Sequence, residues 1–230
     1  MAEVDLKYWY LRDHKLFWKL SNSDLKDLCL IVGFKKAYKA EMIYFADEQV
    51  PRIFLLKRGM IKICETDEQG NEIIKDIIKK GDLFGQMSLD NDQESGNHEY
   101  AQALTDVSIC SFKMDDFERV LERNPSIAIG YTKFMGLKLK RIENRFNNVV
   151  FKDVRSRLVQ FFKDWAESDG EQKDNSILLK NYLTQHDLAK LVCSTRQTVT
   201  TLLNEMEKEQ LITYGRKEIV INNWEVFKLK

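Results

Sequence analysis

Arg196 and Gln197 are the residues whose types and position promise chemistry first, because they fall at the start of a helical stretch between Ser194 and Leu203. A guanidinium there can bond the O6 and N7 edge of guanine at two points, and a glutamine amide can do the same at adenine. Ser194, Thr195, Thr198 and Thr201 add hydroxyls on the same side that suit phosphate or base contacts, and Asn204 extends the polar face. The plain alternative is a solvated polar face on an ordinary helix. Thr184, Gln185 and His186 at the start of the preceding segment, and Arg216 and Lys217 further on, are candidate phosphate holders; Lys180 and Lys190 extend the basic patch.

The elements that must position these side chains are legible in the caps. Thr184 and Ser194 each stand three residues before a box partner, Asp187 and Gln197, so two helix starts are expected about ten residues apart. Leu188, Val192, Val199, Leu202 and Leu203, with small Ala189 at the crossing, supply an inner apolar face. This is the pattern of a helix-turn-helix.

Composition describes a folded protein: 230 residues, 43% hydrophobic, 31% charged and two prolines. Two modest domains fit that length. No apolar run approaches the roughly 20 residues of a membrane span, and the N-terminus lacks a signal-peptide layout, so a cytoplasmic location away from membranes is expected. Cys29, Cys64, Cys110 and Cys193 are widely separated, and buried reduced thiols are expected. Basic and acidic residues balance at 36 each, and from Phe151 onward 13 basic face 12 acidic residues. Affinity for nucleic acid must therefore come from a local patch. Only His14, His98 and His186 are present, in separate regions, which argues against a metalloenzyme of the β-roll type.

Along the chain, a helical lead-in holds Leu11, Leu16, Phe17, Leu20, Leu25, Leu28 and Cys29, with Ser21–Asp24 as a second helix start. Short β-branched and aromatic runs follow at Met42–Phe45, Ile53–Leu56, Met60–Cys64, Ile73–Ile78, Tyr100–Leu104 and Val107–Phe112. Strands this short and this close suggest an antiparallel barrel or jelly roll. Helical spacing resumes at Met114. From Pro125, Ala128, Met135, Leu139, Ile142, Phe146 and Val149 recur at intervals of seven, four, three, four and three. Such a stripe packs either on its own barrel or against the same helix of a second chain, and its length and regularity favour a homodimer. A further helix is expected from Val154 to about Trp165, then a polar stretch at 168–175, a strand at Ile177–Leu179 and a hairpin over Leu211–Ile221 with a basic turn. The C-terminal part thus reads as a winged helix-turn-helix.

This layout resembles the Crp/Fnr superfamily of transcription regulators over nearly the whole chain. Gly81-Asp-Leu-Phe-Gly85-Gln-Met-Ser-Leu89 is similar to its G-D-x-F-G-E-[LM]-[AS]-L signature, Asn148–Leu158 to its hinge, and Ser194-Thr-Arg-Gln-Thr-Val199 to its recognition helix. The resemblance implies an α+β chain: a cyclic-nucleotide-binding-like β-roll (double-stranded β-helix or jelly roll) over 1–124, a dimerisation helix and hinge over 125–150, and a winged helix-turn-helix over 151–230. It implies a non-enzymatic, homodimeric regulator of double-stranded DNA with a two-fold symmetric site, Met135, Leu139, Ile142, Phe146 and Val149 at the dimer interface, and RNA polymerase as a further candidate partner.

The departures bear on the effector. In cyclic-AMP-binding members the signature glutamate holds the ribose and an Arg-Ser or Arg-Thr pair takes the phosphate; here Gln86 stands for the former, and Asn97 and His98 for the latter. Ile142 and Glu143 replace the Thr-Ser pair that meets the base. An anionic phosphate without its arginine is costly to bury. The candidate pocket, Gly85, Gln86, Met87, Asn97, His98, Ile142 and Glu143, is therefore expected to take an effector other than cyclic AMP, or none. The chain lacks an Fnr-type cysteine cluster, and no metal or cofactor is expected; a haem-based gas sensor, with His98, Met60, Met87 or Cys64 as axial ligand, is a disfavoured alternative. Another is an effector-binding module acting through protein partners. In the recognition helix the family's Arg-Glu-Arg readers become Arg196, Gln197 and Thr201, so a different half-site is expected.

Overall fold

The computed structural model describes residues 3–45, 51–85 and 98–229, with side chains detailed from Lys7. The chain divides into two compact units, Met1–Lys140 and Arg141–Lys230.

In the first unit, helices α1 (Glu3–Arg12) and α2 (Asn22–Ile31) lead into strands β1 (Gly33–Ala37), β2 (Met42–Phe45), β3 (Arg52–Arg58), β4 (Ile61–Thr66), β5 (Glu72–Ile78), β6 (Leu83–Gly85), β7 (His98–Ala103) and β8 (Val107–Lys113). Ser21 Oγ accepts from the Asp24 amide at 3.1 Å and starts α2 where the Ser-Asn-Ser-Asp run placed it. The strands form two four-stranded antiparallel sheets, ordered β1-β8-β3-β6 and β2-β7-β4-β5. All six strands read from the sequence form. β6 is too short to carry a periodic signal.

Alternation along β3 explains its unbroken apolar run. Phe54 and Leu56 join Ile43, Tyr44, Phe84 and Ile109 in the core enclosed by the strands of both sheets, whereas Ile53 and Leu55 join Phe17, Leu25, Phe112 and Phe117 on the helix-covered side. Tyr44, Phe54 and Phe84 stack within the roll, with centroids 5.4 Å apart for Tyr44 and Phe54 and 5.2 Å for Phe54 and Phe84. Gly85 has φ +114, and a Cβ there would stand 2.2 Å from the Arg52 carbonyl oxygen, so glycine is required where β6 closes on β3.

Two bases, half-buried His14 and buried Lys57, pin the lead-in to the roll. His14 Nε2 donates to the Gly81 carbonyl at 2.8 Å while its Nδ1 accepts from the Leu16 amide at 3.2 Å. The bond accepted at Nδ1 requires the neutral ring, and burial, outweighing the Gly81 bond that favours the charged form, holds its pKa down to about 4. Lys57 Nζ donates to the Tyr10 carbonyl, and burial lowers the ammonium to about 8.

Helices α3 (Met114–Arg123) and α4 (Pro125–Phe151) follow. Ile127, Tyr131, Phe134 and Met135 pack α4 onto the helix-covered core, so the inner face of its first half is set by Ile127 and Tyr131, and Met135, expected in the dimer stripe, packs against its own unit instead. Leu139, Ile142, Phe146 and Val149 are 67, 56, 66 and 40% exposed. The helix spans both units, its residues from Arg141 belonging to the second.

The second unit continues with α5 (Val154–Asp169), β9 (Glu171–Lys173), β10 (Ser176–Lys180), α6 (Gln185–Leu191), α7 (Arg196–Lys208), β11 (Ile212–Tyr214), β12 (Glu218–Ile221) and α8 (Trp224–Lys228). Its sheet runs β11-β12-β10-β9. Helix α5 extends one turn beyond the expected end. The polar stretch after it supplies β9, an exposed strand paired to β10 that no apolar alternation marks. α8 was not expected; Asn223 caps it by accepting from the Val226 amide at 3.1 Å. Cys29, Cys64 and Cys110 are buried, and burial pushes Cys64 up to about 12 and Cys110 up to about 11. Cys193 corrects the expectation: it is exposed, because it forms the turn between α6 and α7 with φ +51.

Among the described residues, no helix is long and apolar enough to cross a membrane.

Candidate nucleic-acid interface and effector region

Helices α6 and α7 are built from their caps inward. Thr184 Oγ1 accepts from the Asp187 amide at 3.1 Å, and Asp187 Oδ2 accepts from the Thr184 amide at 3.0 Å, closing a capping box. At the second start the cap is Thr195 rather than Ser194: Thr195 Oγ1 accepts from the Thr198 amide at 3.1 Å. The left-handed Cys193 advances the chain so that Thr195 takes the extended conformation a cap requires. Ser194 instead donates its amide to the Ala189 carbonyl at 2.9 Å. Inside the pair Leu188, Ala189, Val192, Val199 and Leu203 are buried, and Leu202 is half-buried.

Arg196, Gln197, Thr198, Thr201 and Asn204 are all exposed on α7, and Thr195 is exposed at its head. Arg196 and Gln197 are the first two residues of the helix, where amides and side chains are presented together. Thr195 and Thr198 hydroxyls lie 2.9 Å apart. Ser194 is half-buried in the turn. On α6, His186 is exposed while Gln185 is half-buried, its Oε1 held 2.7 Å from Thr200 Oγ1. The wing is the β11–β12 hairpin with exposed Arg216 and Lys217 at its tip. Asn181 holds that tip: its Nδ2 donates to the Gly215 carbonyl and its amide to the Lys217 carbonyl, both at 2.8 Å.

Three positioning residues carried no local signal. Thr200 reaches Gln185 across the turn. Arg155 on α5 pairs with Glu209 at 2.6 Å and Glu205 at 3.6 Å at the far end of α7. Arg145 on α4 donates to the Leu191 carbonyl at 2.9 Å. In the stretch read as a hinge, Asp153 caps α5 by accepting from the Ser156 amide at 2.7 Å, which holds its carboxyl below the usual range.

A cyclic nucleotide-binding domain model matches residues 34–124, and a Crp-like helix-turn-helix domain model matches residues 156–228. The chain belongs to the Crp/Fnr family. Like other members, it is a transcription regulator that binds DNA through its helix-turn-helix domain, and the family is not one of enzymes. It is 25% identical to the global nitrogen regulator of Synechocystis sp. over 185 residues, covering 80% of this chain and 82% of that protein. It is 23% identical to the anaerobic regulatory protein of Bacillus subtilis, covering 88 and 85%. The cAMP-activated global transcriptional regulator CRP of Salmonella typhimurium is 25% identical, with 76 and 82% covered. In fold, the chain is similar to a CooA variant from Carboxydothermus hydrogenoformans, with a TM-score of 0.74 at 22% identity and 88 and 89% coverage. FixK2 from Bradyrhizobium japonicum gives 0.72 at 18% identity, with 86 and 96% covered.

Of the residues expected to form an effector pocket, Gln86, Met87 and Asn97 and the side chain of His98 lie outside the described residues. Gly85 closes β6 in the first unit; Ile142 and Glu143 are exposed on α4 in the second. The segment from Gln86 to Glu99 contains no Arg or Lys and includes Asp90, Asp92 and Glu94. The described residues contain no group of three His, Cys, Asp or Glu able to hold a metal.

Proposed function

We propose that this Crp/Fnr regulator acts as a homodimer that places two copies of α7 in the major groove of a two-fold symmetric site, and that its effector is not cyclic AMP. The observation that carries the dimer is the exposed apolar stripe of Leu139, Ile142, Phe146 and Val149 on α4. Four large apolar side chains at heptad spacing, left to water on a helix of 27 residues, are the surface a parallel helix partner covers. Dimerisation would present both reader helices to half-sites one helical turn apart.

Within each half-site Arg196 supplies a guanine contact and Gln197 a base or phosphate contact, with Gln185, His186, Arg216 and Lys217 on the backbone. The reading against cyclic AMP rests on charge. The segment Gln86–Glu99, which follows the signature glycine, carries Asp90, Asp92 and Glu94 and no Arg or Lys, so it supplies no permanent cation to pair with a cyclic phosphate. No haem or metal takes part in this reading, and a different small-molecule effector is compatible with it. Contact with RNA polymerase would follow from the placement of the site at a promoter.

The test is selection of fragmented genomic DNA on the purified protein at near-physiological salt without added ligand. A two-fold motif with half-sites about 10 base pairs apart is expected. Selection without any motif, with or without cell extract, would refute the DNA site proposed. Calorimetry showing micromolar or tighter cyclic AMP binding would refute the effector reading.

A further inference from the structure

From Arg141 to Phe151, helix α4 belongs to the same compact unit as the helix-turn-helix. Arg145 and Asn148 alone in this stretch are half-buried; every other residue is exposed. Arg145 Nη2 donates to the carbonyl of Leu191 at 2.9 Å. Leu191 is the last residue of α6, and the turn Val192–Ser194 and the Thr195 cap of α7 follow it directly. A carbonyl in the last turn of a helix lacks an intrahelical partner and sits at the negative end of the helix dipole, so a guanidinium bond there is charge-assisted. The far end of α7 is held by a second arginine, Arg155, through Glu209 and Glu205. The helix-turn-helix is thus held to α4 at the end of α6, just before the turn into the reader helix, and to α5 at the tail of the reader helix.

We propose that Arg145 is a positioning residue for DNA recognition, locking the turn before the reader helix to the dimer helix so that the dimer sets the separation and rotation of the two reader helices. One turn of α4 carries both functions: Ile142 and Phe146 are exposed on the stripe assigned to the dimer, while Arg145 between them faces its own helix-turn-helix. A shift or rotation of α4 is then passed directly to the head of α7, without loss in the Lys152–Asp153 break. The inference rests on the homodimeric reading above.

The experiment uses full-length protein and a DNA pool in which two symmetric half-sites are separated by spacers of graded length. Wild type should favour one spacing by about tenfold over its neighbours. R145M keeps the aliphatic stem and removes the donors; it should spread binding over several spacings to within about threefold, with an unchanged half-site sequence, dimer mass and thermal midpoint. R145K, which can still donate one bond, should restore most of the selectivity. Wild-type spacing selectivity in R145M overturns the proposal. So does a loss of selectivity that appears in both variants only together with loss of cooperative unfolding or of the dimer, since Arg145 would then support the fold. A wild-type protein that selects no paired half-sites brings down the homodimeric reading, and this inference with it.

Discussion

Thr200 Oγ1 and Gln185 Oε1 lie 2.7 Å apart across the helix-turn-helix, joining the head of α6 to the second turn of α7. The same hydroxyl lies 2.8 Å from the Arg196 carbonyl, so its single proton is shared between Gln185 and the first residue of α7. With its oxygen engaged, the Gln185 amide keeps its NH2 donors for the phosphate contact proposed above. Replacing Thr200 by Val should therefore weaken DNA binding by about 0.5–1.5 kcal/mol at every sequence alike, without altering the selected motif. Competition binding on matched and mismatched sites checks this; a changed motif would show that Thr200 acts on base contacts instead.

Arg196 is exposed at the first position of α7. Arg196→Ala should cost about 1–3 kcal/mol on the best site and relax one base position in each half-site. A selected motif identical to wild type would remove Arg196 from base readout.

The Thr184–Asp187 box should be a stability determinant, because Asp187 is 6% exposed and its carboxylate accepts from both the Thr184 amide and its hydroxyl. Thr184→Ala should lower unfolding free energy by about 1–2 kcal/mol in urea, and Asp187→Ala by at least as much. Equal stability of both variants and wild type would contradict the geometry.

Cys193 predicts two outcomes. At φ +51 it bears a side chain where glycine is unstrained, so Cys193→Gly should change stability by no more than about 0.5 kcal/mol or raise it, against a loss for Cys193→Val. Native protein should also react with one equivalent of a thiol reagent quickly, since Cys29, Cys64 and Cys110 are buried. Rapid titration of two or more thiols would contradict that burial.

His14 sets an acid limit on the first unit. Its folded pKa is depressed to about 4 from 6.5, so the unfolded chain takes up the proton more readily. Stability from this group is fully present above about pH 6.5 and is lost as pH falls towards 4, by on the order of 2–3 kcal/mol. His14→Gln should flatten denaturation profiles across that window; an unchanged slope would show that other groups dominate it.

Several of these features were legible in the chain itself. A Thr and an Asp three residues apart form their box within one turn, strand alternation shows in runs such as Ile53–Leu56, and a heptad stripe appears as spacing along one helix. Each of these signals spans only a few residues, or repeats along a single element, so local stereochemistry writes it into the sequence. The motifs of the signature loop and recognition helix extended that reading to the family. What tertiary structure alone decided is which distant residues meet. Arg145 finds Leu191, Arg155 finds Glu209, and Thr200 finds Gln185, at separations of 46, 54 and 15 residues. It also decided that the inner face of α4 begins with Ile127 and Tyr131 rather than with the heptad set, and that Thr195, not Ser194, caps the reader helix. The left-handed turn at Cys193 sets the cap of α7, and the inner face of α4 is set by what it packs against, which lies far away in the sequence and which no local pattern of side chains encodes.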